Sequence, residues 1–381
     1  MSQKTICIVS SFGLPHVGGV ERYSHQLAKK FVEHGHQVVL VCLNTDHAAE
    51  SEVIDGVIYF RFPSFALLKG RLPIPFLSPN FFRILNLIND YKFDFCIINV
   101  KFYVLSLLSS WYSKHRKIPS ILIEHGSDHF ERKNPLIQAL ANYYEHGITF
   151  LVKQNISHFY GVSQACNHWL AHFGITARGV IYNGVDINYL PDSQASFRAR
   201  YGFCDSTVLI SYVGRLVPEK GIMELVEAVT SLLAEGQDLA LLIAGDDPFA
   251  ENIKTIPGRL IRLGRISHDS VLSLLSESDI LVLPSRFPEG LPTILLEAGK
   301  MGCAVIATPM GGTREVVPDE DHGLIIEDNR ADTIRRALLE LIIDSRKRKR
   351  LQINLQKRVE EVFDWDIIYQ HLMDEITPRM K

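Results

Sequence analysis

Twice along this chain a short apolar run gives way to a loop, a helix-spaced segment and a second apolar run. That rhythm restricts the fold to a parallel α/β architecture. The first instance begins at Thr5–Ser10, passes through a loop, Phe12–Gly19, that closes on Gly18-Gly19, and continues with Val20, Tyr23, Leu27 and Phe31 at helical spacing. Glu21 sits in the favourable first turn, Gly35 stops the helix, and Gln37–Leu43 reads as the next buried strand. Phe95–Val100, Ser120–Glu124 and Ser157–Gly161 have the same strand character, whereas Phe62–Pro79 has no clear period and reads as a surface excursion. The rhythm restarts after Asn183-Gly184-Val185-Asp186 with the strand Val208–Val213 and a helix Gly221–Ala234 whose Ile222, Leu225, Val226, Val229 and Leu233 share a face. Leu239–Ala244, Ile280–Leu283, Ala304–Ala307 and Leu324–Ile326 are the later strands.

A chain of 381 residues exceeds what one core usually serves. The expectation is two Rossmann-like, doubly wound parallel-sheet domains, 1–185 and 186–362. A last helix in 363–381 carries Trp365, Ile368, Tyr369, Leu372 and Ile376 at packing intervals, and either closes the second domain or crosses back to the first. Arg346–Arg350 (RKRKR) falls between two helices, Ala331–Asp344 and Leu351–Val362, as a solvated face or as a lipid or nucleic-acid contact. No basic leader precedes the first strand and no apolar run reaches the ~18 residues a membrane span needs, so a cytoplasmic protein is expected. The six cysteines are scattered without C-x-x-C spacing, which suits reduced structural thiols. Net charge is uneven. Residues 1–185 hold 17 Lys and Arg against 12 Asp and Glu, and the remainder holds 23 against 31. A basic first half suits an anionic partner such as a phospholipid surface or a diphosphate-linked acceptor, although the excess is mild and spread out.

The chemistry concentrates after the strands of the second half, where open α/β sheets bind ligands. Arg215 and Lys220 lie in the loop GRLVPEKG, after a strand and before a helix N-terminus, an arrangement that can clamp a diphosphate without a metal. In PEGLPTILLEA, Gly290 and Pro292 mark a helix start, so Glu289 hangs in the loop and Glu297 lies inside the helix. Their carboxylates should be on the order of 10–12 Å apart, too far for a retaining glycosidase's pair, which wants about 5 Å. That spacing suits an extended ligand such as a nucleoside diphosphate sugar. No Asp-x-Asp metal motif stands in a matching context; Asp205, Asp246, Asp247 and Asp319–Asp321 are scattered loop acids.

GGVERY near the start, EHG at 124–126, NGVD at 183–186, GRLVPEKG, and PEGLPTILLEA with its Glu-x7-Glu spacing together resemble glycosyltransferase family 4, the retaining group 1 enzymes of the GT-B fold. The likeness spans nearly the whole chain, and the ordered combination is far more specific than any piece. It implies two Rossmann-like domains facing a cleft, with the acceptor on the first and the nucleotide sugar mainly on the second. Arg215 and Lys220 would neutralise the donor diphosphate, Glu297 would accept from the ribose hydroxyls, and Glu289 would hold hydroxyls of the transferred sugar. The amides of Gly290, Leu291, Pro292-linked Thr293 and their neighbours would approach sugar and phosphate. Gly18 and Gly19 would let backbone come close to diphosphate and acceptor, and His125 would contact the donor sugar near the reacting carbon. Asp128 and His129 lie just beyond as candidates for acceptor deprotonation, although the family's same-face attack lets the leaving phosphate take that proton. Base recognition would fall near Leu263-Gly264-Arg265-Ile266. No metal and no cofactor are implied.

The function expected is therefore transfer of a hexose from a nucleoside diphosphate sugar to a hydroxyl acceptor. The acceptor is expected to be a lipid-linked or surface-polysaccharide (lipopolysaccharide-type) intermediate, with peripheral contact at the inner face of an anionic cytoplasmic membrane and no nucleic-acid partner. A nucleotide-sugar 2-epimerase or a non-catalytic sugar-nucleotide-binding protein would share the scaffold. A dinucleotide-dependent dehydrogenase is disfavoured, because the first loop lacks G-x-G-x-x-G.

Overall fold

The computed structural model describes residues 2–16, 18–68, 70–129, 134–191, 196–245 and 251–379. They form two compact units, the first made of Met1–Asn183 with Trp365–Lys381 and the second of Gly184–Asp364. Asp246 and Asp247 lie outside the described residues.

In the first unit β1 (Thr5–Val9), α1 (Gly19–Glu33) and β2 (Gln37–Asn44) are followed by β3 (Ser51–Ile54), β4 (Val57–Leu67), β5 (Leu72–Pro75) and α2 (Pro79–Asn89). Then come β6 (Phe95–Asn99), α3 (Val104–His115), β7 (Ser120–Glu124), α4 (Pro135–Val152), β8 (Phe159–Gly161), α5 (Gln164–His172) and β9 (Gly179–Val180). The sheet order is β3-β4-β2-β1-β6-β7-β8-β9, with β5 on β4. β3 and β5 pair with β4 antiparallel, and neighbours along β4-β2-β1-β6-β7-β8-β9 pair parallel. Burial on both faces accounts for the continuous apolar runs of β1, β2 and β6. Helix starts follow capping chemistry: the side chains of Ser78, Asn134 and Ser163 accept from first-turn amides of α2, α4 and α5, and Pro79 and Pro135 follow two of those caps.

The excursion expected at Phe62–Pro79 is half right. Phe62 is buried and stacks on Phe81 with ring centroids 4.4 Å apart, because β4 continues through it and turns back into β5. Phe65, Leu67, Phe76 and Leu77 remain exposed.

The second unit runs α6 (Phe197–Tyr201), β10 (Val208–Val213), a 3-10 turn Pro218–Lys220, α7 (Ile222–Ala234), β11 (Leu239–Ala244), β12 (Leu260–Gly264) and α8 (His268–Glu277). It continues with β13 (Ile280–Leu283), α9 (Thr293–Lys300), β14 (Ala304–Ala307), α10 (Thr313–Val316), β15 (Leu324–Ile325), α11 (Ala331–Ile343) and α12 (Ser345–Val362). Its all-parallel order, β12-β11-β10-β13-β14-β15, is that of a Rossmann sheet, and the strand order reverses between β10 and β13. The Arg346–Arg350 run lies within α12 rather than before it. Arg348 donates to the Leu341 carbonyl at 2.6 Å and Lys347 pairs with Glu340, so part of this charge closes the C-terminal end of α11.

The chain's last helix, α13 (Trp365–Ile376), belongs to the first unit. Trp365 lies against Tyr23, Tyr369 packs on Phe31 and stacks on His34, and the Tyr369 hydroxyl is 3.1 Å from His36 Nε2. Lys30 pairs with Asp366 at 2.9 Å. Of the six cysteines, all free, five are buried and Cys204 is exposed. No helix among the described residues is long and apolar enough to cross a membrane.

Candidate functional site

The reversal point of the second sheet brings Arg215, Lys220 and Glu289 together. Leaving β10, the chain turns through Gly214 and Arg215, with the Tyr212 hydroxyl donating to the Arg215 carbonyl at 2.9 Å. The 3-10 turn then delivers Lys220, and Gly221 follows at φ +70°. A Cβ on Gly221 would strike the Pro284 carbonyl oxygen, so glycine is what lets this turn seat against the end of β13. From the other side comes the loop Ser285–Pro292. The Arg286 amide donates to the Glu219 carbonyl at 2.7 Å, tying one loop to the other. Lys220 Nζ bonds Glu289 Oε1, and the Ser285 hydroxyl lies 3.3 Å from the same oxygen. The Phe287 ring lies beneath both cations, 5.5 Å from the Arg215 guanidinium and 5.4 Å from Lys220 Nζ. Gly311, at φ +54°, backs this loop so closely that a Cβ there would overlap the Glu289 carbonyl. The Gly312 amide donates to the Gly290 carbonyl at 2.9 Å.

Beyond the loop, α9 starts at Thr293 after Pro292, with no side chain capping it. Leu291 is buried, and Glu297 stands in the second turn of the helix. Its Oε1 lies 2.9 Å from Nε2 of His268, the first residue of α8. Arg265 is exposed and Ile266 packs on the core cluster beside α6. They follow the rim of a cavity of about 470 Å³ at the ends of β10, β11 and β12, whose walls include Leu216, Gly245, Ile256, Leu263 and Gly264. Leu263 and Gly264, expected in a loop, close β12. The sequence reading missed His268, Phe287 and Ser285. The last two stand just before PEGLPTILLEA, but nothing in the spacing marks His268, which is 29 residues from Glu297.

Gly18, Gly19 and His125 lie in the first unit. Gly18 is the N-cap of α1 and Gly19 its first residue. A Cβ at Gly18 would meet the Glu21 carboxylate, whereas nothing among the described residues lies within 4 Å of one at Gly19. Burial raises the Glu21 carboxyl above its ordinary range. At the end of β7, the buried Glu124 organises the following turn. Its Oε1 accepts from the amides of His125 and Gly126 at 3.1 and 2.8 Å, and its Oε2 accepts from the Lys101 amide at 3.1 Å. The Asn99 amide nitrogen donates to the Val9 carbonyl, which leaves Asn99 Oδ1 to accept from His125 Nε2 at 2.9 Å. His125 is therefore the Nε2–H tautomer. Its ring meets Tyr23 edge-on at 4.7 Å, and burial pushes the imidazole down to about 3. His129 Nδ1 lies 2.7 Å from Glu145, and Asp128 accepts from the His129 amide.

A model of glycosyl transferases group 1 matches residues 193–358, and one of glycosyltransferase family 4 matches residues 17–189. An uncharacterized glycosyltransferase of Methanocaldococcus jannaschii is 24% identical over 380 residues, 96% of each chain. A GDP-mannose-dependent monoacylated alpha-(1-6)-phosphatidylinositol monomannoside mannosyltransferase of Corynebacterium glutamicum is 29% identical over 204 residues, 50% of this chain and 53% of that one. Among solved structures, Anabaena HepE in complex with UDP-glucose matches with a TM-score of 0.75 at 19% identity, covering 99% of this chain and 100% of that one. With the two family models in tandem across both Rossmann-like units, the chain belongs to the group 1, family 4 glycosyltransferases of the GT-B fold.

Proposed function

We propose that the second unit holds the nucleoside diphosphate sugar with the groups gathered at its strand reversal, and that the first unit presents a lipid-linked hydroxyl acceptor. As a family member the chain is a retaining hexosyltransferase whose transfer step uses no metal ion. The observation carrying the assignment of roles is the Lys220–Glu289 contact, which joins two loops 69 residues apart. Arg215 and Lys220 receive the diphosphate, with the uncapped start of α9 adding its amides. Glu289, beside Lys220, takes hydroxyls of the hexose, so the cation that stabilises the leaving group and the acid that positions the sugar are held as one unit. Glu297, oriented by His268, takes the ribose hydroxyls, and the cavity at Gly245 and Gly264 takes the base. As the glycosidic bond breaks, charge grows on the β-phosphate, where two preplaced cations stabilise it. That phosphate then accepts the acceptor's proton as the acceptor oxygen attacks the same face.

His125 is neutral throughout the working range, and in this reading it offers hydrogen-bonding and shape to the sugar rather than charge. The expected result is a kcat/KM profile between pH 5 and 8 with the same shape in wild type and in His125→Asn, the variant lying uniformly lower. A limb near pH 6.5 present in wild type and absent from the variant would refute the neutral role.

The lipid-linked acceptor is supported by α4, which leaves Leu136, Leu140 and Tyr143 largely exposed, at 75%, 69% and 80%. Apolar side chains in such a row suit the boundary of a bilayer, and a peripheral seat on an anionic inner leaflet agrees with the basic first half. The Corynebacterium relative, by its name, acts on a phosphatidylinositol mannoside. The test is transfer of labelled sugar from UDP-, GDP- and ADP-hexoses to total polar lipids and to water-soluble glycans. Label in the chloroform-extractable fraction is the expected result. Label confined to soluble product overturns the lipid reading, and release of free labelled hexose with no product overturns acceptor transfer altogether.

A further inference from the structure

We propose that His129, His146 and His172 form a three-imidazole site for a late first-row divalent cation, with Zn²⁺ as its natural occupant. The three come from the segment after β7, from α4 and from α5, and one nitrogen of each lies within 4.8 Å of the others. With Zn–N bonds of about 2.0–2.1 Å, two ligands of a tetrahedral ion stand about 3.4 Å apart. The remaining closure of the triangle is within reach of small rotations of His146 and His172, whose side chains are exposed.

Three independent features prepare the set. Glu145 Oε2 lies 2.7 Å from His129 Nδ1, which places the proton there and leaves Nε2 as the lone-pair nitrogen, the carboxylate–histidine pairing common behind metal-bound imidazoles. Glu145 is itself held, because its Oε1 accepts from the wholly buried Lys101 at 2.7 Å. Trp169 also brings two of the rings together: His172 stacks on it at 5.0 Å and 6°, and His129 meets it at 4.5 Å and 87°. Among the described residues no hydrogen bond occupies a ring nitrogen of His146 or His172.

Three neutral nitrogen donors favour zinc and its neighbours over magnesium or calcium, which want oxygen. Three protein ligands leave the fourth position to water. The site stands apart from the residues assigned to sugar transfer, but it is wired to one of them. Glu145 and Glu124 both face Lys101, at 2.7 and 3.6 Å, and Glu124 holds the His125 turn. Bound metal would therefore pin the segment after His125 to α4 and α5.

The experiment is calorimetric titration of Zn²⁺ into the metal-stripped full chain, with Mg²⁺ as the comparison ion and circular dichroism confirming that each variant is folded. One tight Zn²⁺ site is expected, absent in His146→Ala/His172→Ala and weakened about 10- to 100-fold in Glu145→Gln. It should be unchanged in His168→Ala, an exposed histidine of α5 outside the triad. Saturating Zn²⁺ should raise the melting temperature of wild type but not of the double variant. Wild type binding Zn²⁺ no more tightly than the double variant, or His168→Ala costing as much as His146→Ala, would overturn the site.

Discussion

Replacing Lys220 with alanine is expected to lower kcat for sugar transfer by roughly 100- to 1,000-fold, the usual cost of deleting one preorganised group that meets charge formed in the transition state. The donor carries its diphosphate charge in the ground state as well, so its KM should also rise. The larger loss should nevertheless be in kcat, because a further negative charge appears only as the sugar departs. Melting temperature should fall far less than activity, because Glu289 keeps the Ser285 hydroxyl as a partner when Lys220 is removed. Lys220→Arg should recover part of the rate by keeping the charge while misplacing its geometry. Glu297→Ala should behave differently, raising donor KM more than it lowers kcat, since the ribose is remote from the breaking bond. Steady-state kinetics with saturating acceptor separates these outcomes. A Lys220→Ala enzyme within threefold of wild type would detach this cation from the leaving group.

The chemistry of that site was legible because it is written in short contiguous stretches. A loop between a parallel strand and a helix can be recognised from one glycine, one cation and a following apolar stripe, and both loops of the second unit have this form. That Lys220 and Glu289 touch follows from the strand order, which sets β10 beside β13 and which the repeating βα rhythm does not fix. What escaped was of another kind. His268 reaches Glu297 through the packing of α8 beside α9, and no local pattern announces it. The hairpin elements β3 and β5 are amphipathic edge pieces of four residues each, too short for a period to emerge. Helix α4 hid for the opposite reason. Its apolar residues are spread around its circumference, with only Thr149 and Val152 buried, so the one-sided stripe that betrays a packed helix is missing. RKRKR, expected between two helices, lies inside α12, where α11's open carbonyls and Glu340 compensate for part of the repulsion among its charges.

Trp365→Ala is expected to destabilise the first unit by ~3–5 kcal/mol, the range for truncating a large buried aromatic, while leaving the second unit unchanged. The expectation is counter to sequence position, since Trp365 directly follows Asp364, the last residue of the second unit. Its side chain is nevertheless 3% exposed and lies 5.5 Å from Tyr23, whose ring in turn meets His125 at 4.7 Å. Removing the indole opens a cavity on the face of α1 that α13 covers, and the buried Tyr23 loses one of the two rings that hold it. The measurement is unusually clean. The chain's three tryptophans, Trp111, Trp169 and Trp365, all belong to the first unit, so fluorescence of the remaining two follows that unit alone during urea unfolding. Far-ultraviolet circular dichroism follows both units. In the variant the fluorescence midpoint should fall to lower urea, and the dichroism should split into an early and an unmoved late transition. Transfer activity should fall well below wild type even in the absence of urea, because Tyr23 no longer braces His125, and the donor-induced rise in melting temperature of the second unit should persist. If fluorescence and dichroism instead shift together by the same amount, α13 supports the second unit as much as the first, and its assignment to the N-terminal sheet is wrong.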